Sequence, residues 1–109
     1  MKVVNQEELN KVTVAGVKGY VDVMDAISEE GMVTGVRVVH PNSIVPGEGH
    51  MHKERQLNYV ISGRCEVYTT DENQRTELRP GDFVVLDSND PHFFVTFEEP
   101  AVIFEVRFP

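Results

Sequence analysis

Cysteine occurs once in the chain, at Cys65, so no internal disulfide is available and the expected compartment is a reducing one. Basic residues are scarce: 10 Lys and Arg stand against 18 Asp and Glu, a net charge of −8. Such a surface repels phosphate backbones and anionic membranes, which argues against nucleic-acid and membrane partners. No apolar run approaches the roughly 18–20 residues a bilayer span needs, and no charged-then-apolar leader opens the chain, so the expected address is cytoplasmic. Long helices, repeats and low-complexity tracts are also missing. At 109 residues there is room for one domain with a modest core, 1–109.

What the chain does have is short apolar runs broken by turns. Asn5 with Gln6-Glu7-Glu8-Leu9 predicts a short N-terminal helix, capped by Asn5 and contacting the core through Leu9 and Val12. Strands follow. Val12, Val14, Val17, Val21 and Val23 supply β-branched density, and Met32–Val39 reads as a strand apolar on both faces except for Arg37. Phe83-Val84-Val85-Leu86 is an unbroken apolar run, expected of a strand buried on both faces. In the last segment Val102, Phe104, Val106 and Phe108 share one face. Eight or nine short strands at this spacing predict a closed or sandwiched all-β fold.

One stretch carries chemistry. His50 and His52, at i and i+2 of an extended segment, fall on one face with side chains roughly 6.5–7 Å apart, a spacing at which two imidazoles can lean onto one metal ion. Gln56 lies roughly 13 Å further along a straight strand, so it joins such a site only if the chain folds back at Lys53-Glu54-Arg55. Asn58 shares its parity.

The string His50-x-His52-x3-Gln56-x6-Gly63 resembles the first motif of the cupin superfamily, G-x5-H-x-H-x3,4-E-x6-G. Pro80-Gly81-Asp82, with His92 eleven residues after Gly81, resembles the second, G-x5-P-x-G-x2-H-x3-N. The two together span about 44–96. Several positions depart from the pattern. Ile44 replaces the leading glycine, Gln56 the glutamate, Asp87 and Asn89 the proline and second glycine, and Thr96 the terminal asparagine. Asn89 suits a turn there because asparagine tolerates the left-handed backbone.

The resemblance implies a small double-stranded β-helix, the cupin jelly-roll barrel. It also implies one divalent transition metal (iron, zinc, nickel, manganese or copper) held by His50, His52, Gln56 and His92. On this view His92, Phe94 and Thr96 share the inward face, and Asn58 and Phe94 line a substrate pocket. The bland alternatives are packing roles for the histidines and a glutamine that merely hydrogen-bonds its surroundings. His40 is expected to be structural or exposed, and Cys65 to be a small buried residue. Arg37 and Arg107 are expected at solvent-facing edges, a place inside the barrel to receive a substrate carboxylate being the alternative.

Three neutral histidines and a neutral amide leave a divalent site at +2, where a carboxylate would leave +1. That favours an anionic ligand. The expected activity is therefore Lewis-acid isomerase, lyase or ring-opening chemistry on a small anionic or sugar-derived metabolite, with no catalytic residue assigned. The alternatives are a dioxygenase and a non-enzymatic metal- or ligand-binding module. The apolar faces of Met32–Val39 and Ala101–Phe108 predict a sheet-to-sheet homodimer.

Overall fold

The computed structural model describes residues 1–50, 53–69 and 74–109, residues 48–50 by their backbone alone. Among the described residues almost everything regular is strand. The N-terminal helix is a single 3-10 turn, Gln6–Glu8, with the Asn5 side chain accepting from the Glu7 amide at 2.9 Å. Val12 does not belong to it, because the strand begins at Lys11.

Among the described residues ten strands follow: β1 (Lys11–Ala15), β2 (Tyr20–Glu29), β3 (Met32–Val39), β4 (Ile44–His50), β5 (Arg55–Ser62), β6 (Cys65–Thr69), β7 (Gln74–Leu78), β8 (Phe83–Leu86), β9 (His92–Thr96) and β10 (Ala101–Phe108). They form two antiparallel sheets, one ordered β1-β2-β3-β10-β5-β8 and the other β4-β9-β6-β7. Strands β4 and β5 are sequential but lie in different sheets, as do β8 and β9, so two of the chain's changes of sheet fall between His50 and Arg55 and between Leu86 and His92. These two crossings bring the segments around His50, Gln56 and His92 to one end of the jelly roll. At the second crossing Asn89 takes φ +61°, the left-handed conformation its turn requires.

The core lies between the sheets and follows the period-2 rule. Val39, Val60, Ala101 and Ile103 from the larger sheet meet Val45, Cys65, Val67, Leu78 and Phe94 from the smaller. On β9 the inward set is His92, Phe94 and Thr96, all buried.

One expectation about strands fails. The run Phe83–Leu86 is not buried on both faces: Phe83 is 65 % exposed and Val85 61 %. Strand β8 is the outer edge of its sheet, so only Leu86 and, in part, Val84 face the core. In β10 the buried face is Ala101, Ile103 and Glu105, while Val102, Phe104 and Val106 point outward and are half-buried. The outward apolar positions of β10, β3 and β5 stand side by side, with Phe104 opposite both Val36 and Tyr59. No helix among the described residues is long and apolar enough to cross a membrane.

Candidate metal and ligand site

Strand β9 carries His92, whose neighbours across the smaller sheet are His50 of β4 on one side and Thr69 of β6 on the other. The pairing of His50 with His92 is a statement of backbone register, and the His50 side chain is not described. His52 lies outside the described residues.

The His92 ring is buried, packs edge-on against Phe94 at 5.9 Å, and places Nδ1 2.9 Å from the Asp90 carbonyl oxygen. A carbonyl only accepts, so Nδ1 is the protonated nitrogen and, in the neutral ring, Nε2 carries the lone pair. That is the arrangement metal-binding histidines use, one nitrogen donating to a backbone carbonyl while the other binds.

Gln56, 1 % exposed, opens β5 opposite Leu86 of β8 and Arg107 of β10. Its Nε2 donates to Asn58 Oδ1 at 2.6 Å and to Glu105 Oε1 at 2.9 Å, and Asn58 Nδ2 donates to the same Glu105 oxygen at 3.1 Å. An ionised carboxylate has nothing to donate, so both amides must present nitrogen to it and neither can be turned over. Oε1 is then the atom through which Gln56 could bind a cation.

Glu105 was not among the expected site residues, and it is the hub of this end of the barrel. Its Oε2 pairs with Arg37 Nη2 at 3.1 Å and with Arg107 Nε at 3.1 Å, while Arg37 Nη1 reaches Asp25 Oδ1 at 2.6 Å. Burial on its own raises the Glu105 pKa. Arg37, then Arg107 and the Asn58 hydrogen bond, outweigh that and hold it below 4.5.

Arg37 is therefore not at a solvent-facing edge. Its side chain is 8 % exposed, because the alternation Gly35, Arg37, Val39 turns it inward, where Asp25 and Glu105 satisfy it. Arg107 is also no edge residue, being partly exposed and lining the interior cavity. Two arginines and two carboxylates cancel, so Glu105 sits one hydrogen bond behind Gln56 without adding net charge to the site.

A cavity of about 270 Å³ opens beside this network. Its polar lining is His92, Gln56, Asn58, Glu105 and the two arginines. The remainder is apolar, including Val23, Val39, Val45, Ile103 and Phe94. Asn58 and Phe94 thus stand on the cavity wall. Among the described residues no group of three His, Cys, Asp or Glu side chains converges, a description that excludes His50 and His52.

The other singled-out residues lie elsewhere. His40 pairs through Nε2 with Asp22 at 2.9 Å on the outer face, and Cys65 is fully buried in the core.

A family model described as "Cupin domain" matches residues 35–107. None of the curated proteins compared with the chain matches it. Solved structures do. A polyketide cyclase from Streptomyces resistomycificus superposes with TM-score 0.82 at 23 % identity, over 98 % of this chain and 78 % of that one. A predicted oxalate decarboxylase from Thermotoga maritima gives 0.84 at 17 %, over 98 % of both chains. A Cupin 2 conserved barrel domain protein from Salinispora arenicola gives 0.73 at 18 %, over 100 % and 87 %. At these identities the likeness establishes the fold alone.

Proposed function

This chain belongs to the cupin domain family, and from that premise we propose that it is a metal-dependent enzyme acting on a small anionic metabolite. The metal ligands in this reading are His50, His52, Gln56 and His92. The observation that carries it is the Nδ1 of His92 donating to the Asp90 carbonyl, which makes Nε2 the lone-pair nitrogen of the neutral ring, on a residue of the cavity wall. The fixed Gln56 amide supports it, since Nε2 is committed to Glu105 and Asn58.

When bound, a divalent ion at neutral donors supplies Lewis acidity to an oxygenated ligand. The chain's own groups restrict what else happens. Gln56 is an amide and takes no proton. Glu105 has both oxygens committed to Arg37, Arg107, Gln56 and Asn58. Among the described residues the one carboxylate on this wall is Glu105, already committed, so polarisation of the substrate leads, which places isomerase, lyase or ring-opening chemistry ahead of proton abstraction. Two of the superposed proteins are described as a cyclase and a predicted decarboxylase, which accords with an enzyme.

A dioxygenase is the second reading, favoured by a donor set led by histidine. Oxygen uptake that requires substrate separates it from the first. The same proposal includes a cytoplasmic homodimer, joined through the outward apolar positions around Phe104 and Val36.

The test is metal content by mass spectrometry of untagged protein, wild type beside His52→Ala and His92→Ala. Near-stoichiometric metal in wild type, lost in both variants, supports the site. Wild-type protein that stays metal-free after reconstitution sinks it and leaves a non-catalytic binding module.

A further inference from the structure

The two arginines on the cavity wall differ in what they have left to offer. Arg37 uses Nη1 on Asp25 and on the Val36 carbonyl, and Nη2 on Glu105. Arg107 makes its bond to Glu105 through Nε, at 3.1 Å, and among the described residues its two Nη groups make no hydrogen bond or ion pair. It opposes Gln56 in register, lines the same cavity as Gln56 and His92, and is 27 % exposed. A guanidinium pinned at Nε by a buried carboxylate keeps a pre-organised pair of donors, the geometry that receives a carboxylate in bidentate fashion.

The rest of the wall sets the other half of the ligand. Val23, Val39, Val45, Ile103 and Phe94 present no hydrogen-bonding atoms, so a sugar-derived molecule seated against them would lose the hydration of its hydroxyls without compensation. This argues against the sugar-acid substrates that the sequence left open.

We propose that the cavity takes a small carboxylic acid with an apolar, aromatic or branched body. Its carboxylate is received by the Nη groups of Arg107, and its body lies against the valine, isoleucine and phenylalanine wall. Arg107 is then the specificity-determining residue for the acid, and Glu105 positions it. The proposal rests on the metal-site reading only in locating the ligand's head near His92 and Gln56.

The experiment is isothermal titration calorimetry with three probes: 2-naphthoate, its neutral isostere 2-naphthamide, and galacturonate. Each is titrated into metal-loaded and metal-stripped full-length protein, wild type and Arg107→Gln. Wild type is expected to bind naphthoate about tenfold or more tighter than naphthamide, the contribution of one charge-assisted pair. Galacturonate is expected to bind more weakly than either. In Arg107→Gln the naphthoate-to-naphthamide ratio falls to near one, in protein that circular dichroism shows to be folded and whose melting temperature is lowered because Glu105 loses one of its two arginine partners.

Equal binding of acid and amide by wild type overturns the role of Arg107, and so does an unchanged ratio in the variant. Tighter galacturonate binding overturns the apolar body, and absence of binding by every probe overturns the whole proposal. A protein that never holds metal yet shows the expected ratios upholds this inference while the metal-site reading fails.

Discussion

Replacing Gln56 by glutamate would restore the residue usual in the family's motif, and the structure predicts that this chain does not tolerate it. The substitution exchanges an amide nitrogen, 2.9 Å from Glu105 Oε1, for a carboxylate oxygen. Two full charges at that distance repel by about 6 kcal/mol at an effective dielectric of about 20. Taking up a proton relieves the repulsion, and at pH 7 placing one on a carboxyl of ordinary pKa near 4.3 costs about 3.7 kcal/mol. The smaller cost decides, so the folded variant holds one carboxyl protonated, its O–H replacing the lost N–H donor to Glu105. The unfolded chain has both carboxylates ionised at pH 7. Folding therefore takes up a proton, and stability falls as pH rises above the ordinary carboxyl range. The expected loss is about 3–4 kcal/mol at pH 7, shrinking to about 1 kcal/mol at pH 5. Urea unfolding of metal-stripped protein at pH 5, 6 and 7 measures it directly. A penalty below about 1 kcal/mol at pH 7, or one that does not change with pH, would refute the reasoning. In Gln56→Glu/Glu105→Gln the extra pH slope should vanish, even though Arg37 and Arg107 lose a partner.

Other outcomes follow from single sites. Gly63 has φ +78° and a Cβ there would stand 2.0 Å from the Pro100 carbonyl oxygen; Gly63→Ala should cost at least about 2 kcal/mol in thermal or urea unfolding. Burial, then Glu66, pushes the Cys65 thiol from 9.0 up to about 12. A disulfide reagent at pH 8 should accordingly leave the native protein unmodified and react only in denaturant. Because the folded thiol keeps its proton where the unfolded one loses it, stability should decline as pH rises from 9 towards 12, and Cys65→Ala should remove that slope. On the outer face Phe83, packed on Tyr59 at 4.6 Å, and Val85 are exposed. If copies join through this sheet, Phe104→Glu should give a monomer by sedimentation velocity, with Phe83→Glu weakening the dimer less because β8 lies at the edge.

The sandwich was legible in the sequence because its signals are local. Turn residues punctuate period-2 runs, and the alternation of Gln56, Asn58 and Val60, or of His92, Phe94 and Thr96, assigns an inward face without further information. The failures share one cause, which is that a strand's neighbours are not written in the strand. Phe83–Leu86 reads as a buried run, yet it sits at a sheet edge with one face uncovered. In Met32–Val39 and Ala101–Phe108 both parities are rich in apolar residues, so an arginine in one and a glutamate in the other look like surface interruptions. They are inward-facing partners instead, brought together only when β10 pairs with β3 and Glu105 falls opposite Gly35, beside Arg37.

A weak signal did exist: Glu105 shares parity with Ala101 and Ile103, and Arg37 with Gly35 and Val39, small or aliphatic residues suited to the interior. The same contact explains the departure at position 56. A carboxylate at the motif's usual position would meet Glu105 across 2.9 Å, whereas an amide donates to it and keeps its own oxygen as a neutral donor. Glutamine at 56 and glutamate at 105 are thus a single solution. The negative charge stands one hydrogen bond further from the site, and two arginines hold it there. One of those arginines, Arg107, uses only Nε among the described residues, which leaves its Nη groups for the carboxylate proposed above.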